Sequence, residues 1–200
     1  VKQEQLKVNS DTSHEFDITV SNKEENVHSV NITVGDPVSS TLREKLTDET
    51  IITIKTDLKE WSKAHKMRIN ELIMAYMSGK NAENMINRVS KDNELFIEPP
   101  IKQDPFDDEN WAYNMEQHLK LLLSQHELSD TFELLNITCK QLICDIFGIE
   151  KEGSSWIKLY MSLLQNSPNV DFPDGNNDPK SIIYMENDVA VVYSQIIFKS

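Results

Sequence analysis

Residues 129–148, SDTFELLNITCKQLICDIFG, constrain this chain more than any other stretch. Ser129 can accept from the free N–H groups of a first helical turn, and Asp130 and Glu133 stand where a helix dipole favours negative charge. Phe132, Leu135, Cys139, Leu142 and Ile146 recur at steps of three and four, the spacing of one helical face. Gly148 suits a left-handed cap just past the end. The spacing predicts an amphipathic helix that needs packing partners on both sides.

The flanking patterns supply them. A helix is expected from about residue 106, with Trp111, Met115, His118, Leu119 and Leu122 along its seam. Another follows Ser154 or Ser155 and buries Trp156, Ile157, Leu159, Tyr160, Leu163 and Leu164. Asp178-Pro179 reads as an N-cap with proline at the first helical position. Beyond it, Ile182, Met185, Val189, Val192 and Ile196 fit a helix seam, while the β-branched content and the break at 186–188 fit a hairpin. The start signal favours the helix. The second half is thus expected to be a bundle of about four helices joined by short loops.

The first half reads differently. Residues 16–20 and 27–34 alternate apolar with polar and predict a minor β-hairpin or extended part near the N-terminus. Residues 51–54, IITI, form a third β-like run. A helix capped by Thr56 or Asp57 carries Leu58, Trp61, His65, Ile69, Leu72 and Tyr76 on one face, and a short one carries Ala82, Met85, Ile86 and Val89. The fold class is therefore mainly α. Pro99, Pro100 and Pro105 among acidic residues mark 99–106 as a linker between a domain at 1–98 and one at 107–200.

The formal charge of the 200 residues is −13, and it is unevenly spread. Residues 1–100 hold 13 Lys and Arg against 17 acids, and residues 101–200 hold 7 against 16. Free association with nucleic acid is disfavoured, and a protein partner with a basic surface is favoured. Cys139 and Cys144 would stand about 140° apart on a helix, which argues for two reduced core thiols. That favours an intracellular chain, in cytoplasm or nucleus. No apolar run approaches the length of a membrane span.

Catalytic signatures are missing: GxSxG, a P-loop, GxGxxG and HExxH do not occur. His14, His28, His65, His118 and His126 show no helical metal-pair spacing. Asp171, Asp174, Gly175, Asn177 and Asp178 are oxygen-rich, but Val170 and Ser181 stand where an EF-hand needs its first and last ligands. No enzyme activity, metal or cofactor is expected.

Two short resemblances remain. Residues 51–73 resemble a ribbon-helix-helix unit, and Lys59, Lys63 and Lys66 line one helical face that could contact phosphate. Ile51, Ile52 and Ile54, between Asp48-Glu49 and Asp57, resemble a SUMO-interacting motif, which implies binding by strand addition. No resemblance extends over a long stretch. The function expected first is a protein-interaction module, a helical adaptor or scaffold within a larger assembly. Phe106, Asp107 and Asp108, with Trp111 and Trp156 near helix starts, are the candidate anchors.

Overall fold

The structure, a computed structural model, describes residues 48–172 and 180–200. The hairpin expected at 16–34 and most of the oxygen-rich loop, residues 173–179, lie outside the described residues. In chain order the elements are α1 (Asp48–Tyr76), α2 (Gly79–Asp92), α3 (Glu94–Ile97), α4 (Pro105–Gln125), β1 (Phe132–Lys140), β2 (Ile143–Glu150), α5 (Ser155–Asn166), β3 (Lys180–Glu186) and β4 (Val189–Ile197). The strands form one antiparallel sheet in the order β1-β2-β4-β3.

This overturns the helical bundle expected for the second half. Helices fill the described part of the first half and run on through α4, and the sheet follows. Residues 129–148 are a hairpin, not a helix. The seam that looked helical is split between two strands, and β2 is buried at every position from Ile143 to Glu150. A strand covered on both faces has no alternation to show, and a short apolar run of that kind imitates a helix. The C-terminal run is also a hairpin, the alternative that the break at 186–188 had allowed.

Both turns need two residues at positive φ: Gln141 (50°) and Leu142 (61°), then Asn187 (49°) and Asp188 (68°). Asn-Asp suits that geometry, whereas Gln-Leu carries no turn signal. The first turn holds its form because it is covered. The Gln141 side chain accepts from the backbone N–H groups of Lys102 and Gln103 and donates to the Gln103 carbonyl. Its own N–H donates to Asp108 Oδ1 at 2.6 Å. Residues 99–104 thus strap the hairpin tip. The turn also sets Cys139 opposite Cys144, and the two form a disulfide. The expectation of reduced thiols fails with the helix it rested on, and it no longer bears on compartment.

Helices cover both faces of the sheet. Ile137, Cys139, Cys144, Ile146, Val192 and Ile196 point to α4 and α5. Phe147, Val191, Tyr193 and Ile182 point the other way, to α1 and α2. α1 begins eight residues before the expected cap at Thr56 and absorbs 51–54, so that run is helical rather than strand. Its buried row is Ile54, Leu58, Ser62, His65, Ile69 and Ile73. α4 is capped by the Asp104 side chain, which accepts from the N–H groups of Phe106 and Asp107, with Pro105 at the first helical position.

Candidate functional site

A buried polar node lies between α1, the α2–α3 junction and the two central strands. Asp145 (β2) and Gln195 (β4) are directly paired in the sheet and face α1. Asp145 Oδ2 accepts from His65 Nε2 and Asn93 Nδ2, each at 2.9 Å, and its Oδ1 accepts from Gln195 Nε2 at 3.0 Å. Asn93 ends α2 and caps α3, and it uses all four of its bonding positions. Its Nδ2 also donates to the Tyr193 hydroxyl at 2.6 Å, and its Oδ1 accepts from Leu95 N at 2.8 Å and Gln195 Nε2 at 3.0 Å. His65 stacks on Trp61 and leans on Phe96. Burial, and then the Asp145 charge, push the Tyr193 hydroxyl well above its usual range, so it stays protonated.

Ser62, one turn before His65, donates its hydroxyl to the Leu95 carbonyl. The node therefore fastens three helices to the sheet through directional bonds. Gln195 Oε1 is left without a partner. Beside it opens a cavity of about 430 Å³ lined by Asn93, Tyr193 and Gln195, with Arg88, Lys91 and Lys180 among its charged residues.

The other concentration of features is on α4. The helix buries Asp108, Ala112, Met115, Leu119 and Leu123 toward the sheet. On the outward side Phe106, Tyr113 and Leu121 are 74%, 65% and 52% exposed. The first two are seven residues apart, which places them one above the other, and Leu121 continues the same side two turns on. Asp107 and Glu109 flank the first of them and are exposed. Asp104 is held below the usual carboxylate range, chiefly by the backbone N–H of Asp107, and the Asp104 carboxylate in turn pushes Asp107 up.

The other candidate residues are scattered. Asp108 is fully buried and ion-pairs with Lys140 at 2.7 Å, tying α4 to the hairpin tip. Trp156 is fully buried, its ring stacked on Phe132 and its Nε1 donating to Ser194 Oγ at 3.0 Å. Trp111 is half-buried edge-on to Phe198. These aromatics close the core. In α1, Ile54 is buried, Ile51 half-buried and Ile52 exposed. Lys59 and Lys63 are exposed, Lys66 is half-buried, and exposed Asp57 and Glu60 interrupt the stripe.

Asn93, Asp145, Tyr193 and Gln195 escaped the sequence reading. Asp145 had one signal, a lone charge inside the apolar run LICDIFGI. Among the described residues no His, Cys, Asp and Glu group is arranged to hold a metal, and no helix is long and apolar enough to cross a membrane. Compared with protein-family models, curated proteins and solved structures, the chain matches none.

Proposed function

We propose that this chain is a protein-interaction module that offers the outward side of α4 to an apolar groove with a basic rim. The observation that carries the reading is the exposed row of Phe106, Tyr113 and Leu121 beside Asp107 and Glu109, on a helix whose opposite side is sealed against the sheet. A rigid helix presents such a row without an ordering cost, and apolar anchors at helical spacing are how helix-in-groove recognition works. The surplus of acids in residues 101–200 steers a basic partner and raises its association rate, while the aromatics set how long the complex lasts.

The test uses the full chain as bait, beside a Phe106→Ser/Tyr113→Ser variant shown to melt like the parent. A protein retained by the parent and lost by the variant supports the reading. With that protein in hand, higher salt should slow association and Phe106→Ala should speed dissociation. Identical sets of bound proteins on parent and variant would place the binding surface elsewhere.

A further inference from the structure

The two edges of the sheet are built differently. β1 carries a register break between Leu134 and Asn136, and α4 packs over it. A bulge and a covering helix are the usual protection of an edge strand. β3 pairs with β4 over all seven of its residues with no break in register, and among the described residues no strand pairs with its outer edge. Its Ile182 and Tyr184 pack toward α2. Its Ile183 and Met185 pair with Val192 and Ala190, whose side chains face α4 and α5, yet they are 37% and 64% exposed. On α5, Leu159 turns to α4 and β1, while Ile157 and Met161 stand on the flank away from it, 58% and 44% exposed. An edge with unbroken register that carries uncovered apolar side chains is a template for another strand.

The sequence of β3, KSIIYME, says which strand fits. Lys180 and Glu186 stand three residues either side of Ile183. A second β3 laid antiparallel about a two-fold axis at Ile183 sets each Lys180 opposite the other copy's Glu186 and each Ser181 opposite Met185. Both charged ends are matched, with Lys180 also reaching Glu94 and the Asp92 carbonyl and Glu186 also accepting from Ser78 and Asn81 within its own chain, and the apolar side chains of the two copies run on as one stripe. Opposite charges facing each other across strands stabilise the pairing, and a self-complementary patch is what a closed two-fold dimer requires.

We infer that the chain forms a homodimer through antiparallel β3–β3 pairing centred on Ile183, making one eight-stranded sheet. The dimer leaves the outward side of α4 free, so its failure and the failure of the partner reading above are separate results.

Sedimentation of the full chain up to about 100 μM, in the range of a weak interface, should show a concentration-dependent dimer at about 0.15 M salt. Ile183→Cys should cross-link to a covalent dimer under mild oxidation, because facing Cβ atoms in a sheet lie about 4.5–5.5 Å apart. Tyr113→Cys, more exposed but on α4, should not. Lys180→Glu and Glu186→Lys should each raise the dimer dissociation constant several-fold, and the double variant should recover most of that loss. A chain that stays monomeric throughout overturns the inference. So does a dimer in which Ile183→Cys cross-links no faster than Tyr113→Cys.

Discussion

The two faces of the sheet are closed by different physics. The α4–α5 face is closed mainly by shape: Trp156 stacks on Phe132, the Phe132 ring lies over Gly148, and its directional bonds, such as Trp156 to Ser194, Tyr160 to the Gln195 carbonyl and Lys140 to Asp108, are separate links rather than one node. The α1–α2 face has an apolar patch around Ile69, Ile73 and Phe147, but it is registered by the Asp145–Asn93–His65–Gln195 node. Apolar packing tolerates small slides, because it is non-directional. A fully bonded asparagine does not, since any displacement of the α2–α3 junction leaves buried donors or acceptors unpaired. One face therefore holds its helices chiefly by fit, and the other fixes where its helices sit through one shared network.

Substitutions at the centre of each face give the largest expected effects. Asp145→Ala strands three buried donors and should cost about 3–5 kcal/mol. Asp145→Asn keeps the shape and one acceptor, and should recover part of that loss. Trp156→Ala should cost a similar ~3–5 kcal/mol through the cavity it opens, with no isosteric replacement able to distinguish charge from volume there. Chemical denaturation midpoints measure all three. If Asp145→Asn melts like the parent while Asp145→Ala does not, the polar face is held by volume after all.

Two changes on the shape-sealed face follow. A Cβ at Gly148 would collide with the Phe132 ring and with the Glu133 carbonyl at 2.5 Å. Gly148→Ala should therefore destabilise by about 1–3 kcal/mol, and a parent-like melt would mean the ring moves aside freely. Cys139→Ala/Cys144→Ala opens a loop of only a few residues, so the loss should be about 2 kcal/mol on the chain-entropy estimate. A much larger loss would give the disulfide a part in shaping the hairpin.

What could be read from the sequence divides along the same line. α2 and α4 were legible because one side of each is polar, and Ala82, Met85 and Val89 or Met115 and Leu119 keep the helical period. His65 was correctly placed on the buried face of its helix. The hairpin at 129–148 was illegible for two physical reasons: β2 is buried on both faces, and its turn, Gln141-Leu142, relies on the strap from 99–104 rather than on turn-forming residues. The node was hidden because its members come from four separate places in the chain. The α4 row was half visible, since Phe106 stood out among acids whereas Tyr113 and Leu121 fell off the seam that the sequence advertises.

The smallest expected effect lies at the far end of the polar face. Glu186 accepts from Asn81 Nδ2 and Ser78 Oγ, which hold its carboxyl below the usual range. A depressed carboxylate adds stability that is present above its unfolded pKa and lost as pH falls through the folded one. Acid titration of the melting temperature should show a slightly shallower loss in Asn81→Ala than in the parent. Identical acid profiles would mean that this surface link adds nothing.

Native-state hydrogen exchange on Asn93→Ala tests the division between the faces most directly. The substitution removes the side chain that joins α3, Tyr193, Gln195 and Asp145, and it leaves the α4–α5 face untouched. Amides of α2, α3 and the second half of α1 should lose protection first and most, while those of α4, α5 and β1 keep theirs until global unfolding. An equal loss on both faces, or none on either, would contradict a node that fixes the α1–α3 helices on the sheet.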